Sequence, residues 1–414
     1  MSAPQRNLEP SEAELAGDLR HLCGIERGSA SAGEREAAEW IVACLREHGC
    51  RDAHVEREPA QGTYWWPLGT LSALTVALGA WALRHPGRAR GPIAALGTLA
   101  AWAMADDVSA GRFWFRRRFL PGRTTYNVVA EAGDPDARRT VVLVAHHDAA
   151  HTGAIFNPRF SAIGDRFPDR PTGVERRVSA MVPVIAAPAL VGLGAALTAR
   201  RVGRALTSVG TLLAGVGTAV FVDVGRREVV PGANDNASGV VTLLALSRTL
   251  SERPVRGVRV LLVSTGSEES FMEGMKGFSR RHFGHLDPAR TWFLGVDAVG
   301  SEQLVLYESV GMLLLRDYPG DFKELVGECA REAGVDLMRG IREAADTDGL
   351  IPLRAGYPTT MIASIDIHEE PSNYHWPTDT PENVTLESVA GAVRVCDAVV
   401  RRLGDRWTPL AEGG

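Results

Sequence analysis

Three apolar runs in this chain end in residues that bind cations. VVLVA is followed by His146-His147-Asp148, VRVLLVSTGS by Glu268-Glu269, and TWFLGV by Asp297. A glycine-rich loop from Pro231 to Gly239 (PGANDNASG) adds Asp235 and Asn236. The C-terminal stretch NYHWPTDTPEN adds Tyr374, His375, Asp379 and Glu382. Imidazole and carboxylate without thiolate suit zinc or a similar divalent ion that keeps open positions for water or substrate. Five places that each offer such a ligand exceed one tetrahedral site; they match two ions sharing a bridging carboxylate, an arrangement whose natural reaction is hydrolysis. Cysteine adds nothing to this chemistry. Cys23, Cys44, Cys50, Cys329 and Cys396 are scattered, with no C-x-x-C pair, so neither a thiolate zinc site nor a disulfide framework is indicated.

Taken singly, each piece has a plainer reading. His147 and His151 read as structural histidines, a Glu-Glu pair ordinarily opens a solvated helix, and ANDNASG alone is a turn before an N-cap Ser. Order and placement argue otherwise, because every motif stands at the end of an element. Asp148, two residues after His146 in extended chain, lies on the same side and is placed to hold the imidazole by its second N–H.

The elements that must position these groups are short apolar runs separated by helical stretches. Thr140 to Ala145, Val258 to Ser264, Thr291 to Val296, Gln303 to Tyr307 and Thr359 to Ala363 read as strands, and Val240 to Leu250 as a helix between them. Continuous apolar strands require a parallel or mixed sheet covered on both faces, an α/β architecture in which ligands bind beyond the carboxyl ends of the strands. Residues 10–50 read as amphipathic helix ended by Gly49.

Two helical hairpins interrupt this pattern. Pro59 to Leu83 and Gly91 to Ala105 are 25 and 15 residues free of Asp, Glu, Lys, Arg and His; Val178 to Ala199 and Ala205 to Val222 are 22 and 18. About 20 apolar residues cross a bilayer, so the first and third qualify, the fourth is borderline and the second is short. Four buried helices of a soluble lid are the alternative. The hairpin tips carry six arginines (84, 88, 90, 200, 201, 204) and the opposite ends nine (112, 116, 117, 118, 123, 176, 177, 226, 227), which places the bulk of the protein on the cytoplasmic side of a membrane. The polar N-terminal stretch without an apolar core also disfavours export. The division is then 1–62 (N-terminal helical part), 63–111 (first hairpin), 112–174 (core with the first ligand), 175–227 (second hairpin) and 228–414 (core with the other ligands). The 414 residues are 45% hydrophobic, enough for a large core, and the net charge of −5 leaves no basic excess for nucleic acid.

The ordered set H-x-D (His146, Asp148), A-N-D-N-A-S-G (Asp235), E-E (Glu268, Glu269), V-D-x-x-G (Asp297) and Y-H-x-x-x-D-T-x-E-N (His375) resembles metallopeptidase family 28, the dizinc aminopeptidases of the aminopeptidase S and aminopeptidase Y types. Thr347-Asp348, followed by Ala355-Gly-Tyr-Pro, is similar to a further element of that family, and RGSASAGEREAAEWI is similar to its opening. The resemblance covers nearly everything except the hairpins. It implies the zinc exopeptidase fold, a mixed and mostly parallel sheet sandwiched by helices, and two Zn2+ per chain. Asp235 would be shared, with His146 and Asp297 completing one site and Glu269 and His375 the other. Glu268 would be the general base toward the attacking water, and Asp148, Asn236 and Asp348 would support the ligands. Tyr374 would steady the oxyanion, a packing role being its alternative, and the Asp235–Asn236 peptide bond would be cis. The departure is the 89 positions from His146 to Asp235 (235 − 146), where relatives commonly have a much shorter loop.

The leading reading is therefore a membrane-associated aminopeptidase acting on peptides with a free N-terminus. A carboxypeptidase, an amidohydrolase or a glutaminyl-cyclase-like enzyme on the same fold is the nearest alternative, and a catalytically inactive membrane scaffold the more distant one.

Overall fold

The computed structural model describes residues 11–159, 179, 181–197, 201–342 and 345–404. Arg176, Arg177 and Arg200, counted above for membrane orientation, lie outside them. Nine strands are described: β1 Arg51–Ala60, β2 Arg123–Gly133, β3 Thr140–His146, β4 Arg259–Thr265, β5 Thr291–Val296, β6 Gln303–Leu306, β7 Ser309–Val310, β8 Arg316–Asp317 and β9 Thr359–Ile365. Seven form one sheet in the order β1-β2-β4-β3-β5-β9-β6, and β7 and β8 form a separate ribbon. The four central strands, β4, β3, β5 and β9, are parallel, while β1, β2 and β6 are antiparallel at the edges. The sheet is mixed and mostly parallel, flanked by helices.

The helices are α1 Glu12–Cys23, α2 Ala32–Glu47, α3 Trp65–Arg84, α4 Arg90–Val108, α5 Trp114–Phe119, α6 Met181–Ala196, α7 Arg201–Val224, α8 Ser238–Glu252, α9 Glu273–His282, α10 Gly320–Glu332, α11 Leu350–Arg354 and α12 Leu386–Leu403. Alternate residues of β3 divide between two cores. Val141, Leu143 and Ala145 pack with α1, α2, α8, α10 and α12, and Val142 and Val144 pack with α9 and the inner ends of the hairpins. That two-sided burial is why VVLVA is apolar throughout.

The single helix expected over residues 10–50 is two. Ser11 caps α1 through a reciprocal box with Glu14, Ser31 caps α2, and residues between them turn at Ala30, whose φ is +51°. The apolar run from Pro59 includes the end of β1, so the first hairpin helix starts at Trp65. Strands β1 and β2 have no counterpart among the expected ones.

The hairpins α3–α4 and α6–α7 pack together as four helices: α3 on α7, α4 on α6, and each helix on its own hairpin mate. Glycine permits the closeness. A Cβ on Gly97 would stand 2.6 Å from the Pro188 carbonyl oxygen and 2.9 Å from Gly192 Cα; one on Gly210 would stand 2.6 Å from the Ala187 oxygen.

Candidate metal centre

The chemistry-bearing residues converge beyond the carboxyl ends of the central parallel strands, where the chain crosses from β3 to neighbours on either side. His146 ends β3, Asp297 follows β5, Glu268 and Glu269 follow β4, and His375 lies in the loop after β9. Asp235 sits in a kinked turn, Ala233–Ala237, that opens α8 and contains a cis bond to Asn236. His146 Nε2 is 3.2 Å from Asp235 Oδ1 and 3.4 Å from Asp297 Oδ1. His375 Nε2 is 3.2 Å from Asp235 Oδ2 and 3.2 Å from Glu269 Oε2. The two oxygens of Asp235 thus face different imidazoles, each of which has its own further carboxylate. One ligand atom each from His146, Asp235 and Glu269 lies within 4.8 Å of the others.

The charge balance of this pocket calls for cations. Asp148, Asp235, Glu268, Glu269, Asp297, Asp348 and Asp379 crowd around two imidazoles. Burial pushes Asp348 and Asp379 each up to about 7 and raises Glu268 well above the usual carboxylate range. Burial also disfavours the charged form of His375, but Glu269 and Asp235 beside it outweigh that and lift it to about 10. Glu269 Oε1 is buried without a hydrogen-bond partner. Nitrogen and carboxylate donors aimed at shared centres, with unbalanced negative charge, fit zinc.

Behind these side chains stands a set of hydrogen bonds to the main chain. Asp148 Oδ1 accepts from Glu268 N at 3.0 Å, and Oδ2 from Glu269 N at 3.2 Å and Ser29 Oγ at 2.6 Å. The expected grip of the Asp148 carboxylate on His146 is weaker than this. His146 Nδ1 is 3.5 Å from Oδ1 and closer, at 3.1 Å, to the Asp148 carbonyl oxygen. The carboxylate is spent on the Glu268–Glu269 turn instead. Asn236 donates to the Val296 carbonyl and accepts from Gly239 N and Ala298 N, each at 3.0 Å, which ties Asp235 to the Asp297 loop. Asp348 accepts from the hydroxyl of Thr265, the register partner of His146. The Tyr374 ring stacks on His375 with centroids 3.8 Å apart, and the residue is 40% exposed. His147 points away to Ser264, and His151 packs on Trp65.

Glu34 and Arg27 have no role in the sequence reading, and Asp379 enters it only as a cation-binding residue type with no role of its own. Asp379 accepts from Asn234 N at 2.7 Å and Asp235 N at 3.1 Å and so aims the Asp235 carboxylate. Glu34 is buried and accepts from Ser267 N (2.9 Å), Ala30 N (2.7 Å) and Tyr126 N (2.9 Å), clamping the approach to Glu268. Arg27 donates to the Pro231 and Gly232 carbonyls. Gly232 has φ +60°, and a Cβ there would stand 2.6 Å from the Asp235 oxygen, so the loop needs glycine. All three lie inside the motifs quoted above, Asp379 in the histidine motif and Arg27 and Glu34 in the N-terminal one.

No curated protein matches the chain by sequence. Among solved structures, the chain is similar to an aminopeptidase from Aneurinibacillus sp. strain AM-1 (13% identity, TM-score 0.54, covering 96% of this chain and 94% of that one). It is also similar to BSAP, a zinc aminopeptidase from Bacillus subtilis (14%, 0.53, 96% and 96%), and to a Bacteroides thetaiotaomicron glutaminyl cyclase bound to N-acetylhistamine (13%, 0.54, 97% and 99%). At such identities these likenesses establish the fold alone. The sequence model of peptidase family M28 matches residues 216–400, the stretch that holds Asp235, Glu268, Glu269, Asp297 and His375. Residues 216–400 therefore carry the sequence pattern of peptidase family M28, and the chain has the fold of the zinc aminopeptidases it is similar to.

Proposed function

We propose that this protein is a zinc-dependent aminopeptidase that removes the N-terminal residue of peptides, and that its two hairpins hold it at a membrane. The observation that carries the first part is the sharing of Asp235 between two imidazole–carboxylate pairs, which suits two zinc ions side by side. Zinc, when bound, acidifies the attacking water and polarises the scissile carbonyl. His146 and Asp297 would hold one ion, Glu269 and His375 the other, and Asp235 both. Glu268 makes no pairing of that kind. Its carboxylate takes the proton of the attacking water and delivers it to the departing amine nitrogen as the C–N bond breaks. Tyr374, beside His375, is placed to donate from its phenol to the oxygen that becomes negative. Asp148, Asn236 and Asp348 keep the ligands aimed. The surplus of carboxylates suits a substrate with a free, cationic α-amino group.

The test joins zinc analysis of the purified full chain to hydrolysis of a panel of aminoacyl-nitroanilides. Two zinc ions per chain are expected, with Glu268→Gln retaining zinc and losing about 100-fold or more in kcat. One ion, or two with no hydrolysis of any free-amino substrate, overturns the reading. The likeness to a glutaminyl cyclase favours a second reading, ring closure of an N-terminal glutamine. A glutaminyl peptide distinguishes the two: loss of ammonia without release of the residue is cyclisation.

Support for the membrane part comes from α3 and α7, both long and apolar enough to cross a bilayer, together with the apolar side chains that the four helices expose. The arginine distribution favours a catalytic part facing the cytoplasm, which protease protection of oriented membranes tests. The hairpins are then insertions at 63–111 and 175–227 into one peptidase domain.

A further inference from the structure

Between the first hairpin and the sheet, the chain buries a guanidinium completely. Arg116, in α5, has no exposed surface, and neither has Asp107 near the end of α4. Arg116 Nε donates to Asp107 Oδ2 at 3.1 Å; Nη1 donates to the Ser270 carbonyl at 2.8 Å and lies 3.7 Å from Glu273 Oε1. The Phe113 ring lies under the guanidinium at 4.3 Å. Glu273 also accepts from Gln61 N (3.0 Å), Gly62 N (2.8 Å) and Ser270 Oγ (2.7 Å). A buried arginine is costly unless paired in this manner, and its planar fork can hold a carboxylate and a carbonyl at once where a lysine would act as a point charge.

What this cluster grips is the segment between β4 and α9 that carries Glu268 and Glu269. Ser267, Phe271 and Met272 there have φ of +51°, +70° and +59°, conformations that persist in such residues only where the surroundings impose them. One end is held by Asp148 and Glu34, as described above. The other end closes on itself through Met272 N to the Glu268 carbonyl (2.8 Å) and Glu273 N to the Ser267 carbonyl (3.0 Å), and Arg116 and Glu273 clamp it from outside.

We propose that Arg116 is a positioning residue for the metal centre: it holds the Ser270–Glu273 end of this segment, sets where the carboxylates of Glu268 and Glu269 stand, and through Asp107 ties their placement to the seating of the first hairpin. The effect on catalysis rests on the aminopeptidase reading; the effect on zinc binding does not.

The experiment uses the purified full chain and Arg116→Lys. Zinc affinity is measured by competition with a chromophoric chelator, amide exchange is followed at Met272 and Glu273, and kcat and KM are measured separately. Expected are a zinc affinity about 10-fold lower, faster exchange at the two amides, and kcat reduced about 10-fold or more at nearly unchanged KM. A folded Arg116→Lys with wild-type affinity and exchange overturns the proposal. If that variant does not fold, Asp107→Asn replaces it, since it leaves the bonds of Arg116 to Ser270 and Glu273 intact while loosening the anchor. Lower affinity and faster exchange support the proposal there, and wild-type values of both overturn it. A wild type that binds zinc and cleaves no free-amino substrate removes the peptidase reading, while the affinity and exchange measurements still decide the role of Arg116.

Discussion

Asp379 contributes no atom to the His146, Asp235 and His375 constellation, yet it governs where Asp235 points. Its two oxygens take the amides of Asn234 and Asp235, and each amide then fixes the turn from which the shared carboxylate projects. Supports of this kind are worth about 10- to 100-fold in metal affinity. Asp379→Ala is therefore expected to lower zinc affinity within that range in the chelator competition, and an unchanged affinity would show that the turn holds its shape without it. The contrast with the proposed ligands explains what was readable. His146, Glu269 and Asp297 announce themselves because each ends a buried apolar run. Asp379, Glu34 and Arg27 bond to main-chain groups, and a main-chain partner leaves no residue type at a matching position to betray it. Asp148 shows the same limit from another side: its spacing from His146 is right for an imidazole partner, but its carboxylate serves two backbone amides of a distant turn.

Elements were legible where both faces are apolar and not where a charged face is covered. The central strands are unbroken hydrophobic runs, so their places were evident. β1 reads RDAHVEREPA, and the residues on its covered side include Glu56 and Glu58. Those carboxylates are buried against α9, where His282 Nε2 lies 2.9 Å from Glu56 and Arg281 Nη2 donates to Glu58 at 2.7 Å. An alternation of charges that satisfies a neighbouring helix looks, in sequence, like a solvated segment. The pairing carries a pH dependence. Burial pushes the Glu56 carboxyl up, but His282, Arg281 and His54 more than offset it, so the folded value lies below the usual one. A depressed folded value gives stability that is complete above the unfolded carboxylate pKa and is lost as pH falls through the folded one. Glu56→Gln is accordingly expected to lower Tm at pH 7 and to differ less from wild type near pH 3. Equal differences at both pH values would show that the pair contributes no ionic stabilisation.

At the scale of the whole molecule, the question is what covers the four-helix unit. Its inner surface is closed by glycine contacts, and its outer surface exposes Leu99, Trp102, Val209, Leu212 and Val216, with Leu212 70% exposed. Exposed apolar side chains in such numbers mark an interaction surface, and α3 and α7 are long and apolar enough to cross a bilayer, so the proposed membrane attachment names lipid as the partner to test. The unit is not a remote anchor. Trp65, the first residue of α3, packs on His151, and Asp223 near the end of α7 accepts from Ala154 N at 2.6 Å, two residues before Phe156, whose ring meets His375 at 4.6 Å. Under the proposed function, lipid that seats the helices would act a few residues from His375. The full chain is expected to float with phosphatidylcholine vesicles in a density gradient, and to stay with them in 1 M salt, because burial of apolar surface is not screened as charge attraction is. Replacing Leu99, Leu212 and Val216 together with Glu should leave the protein at the bottom of the gradient with its zinc retained, since none of the three touches the centre. A wild type that stays monodisperse without detergent and does not float would instead make the four helices a soluble cover beside the site, and would require the exposed leucines and valines to meet protein rather than lipid.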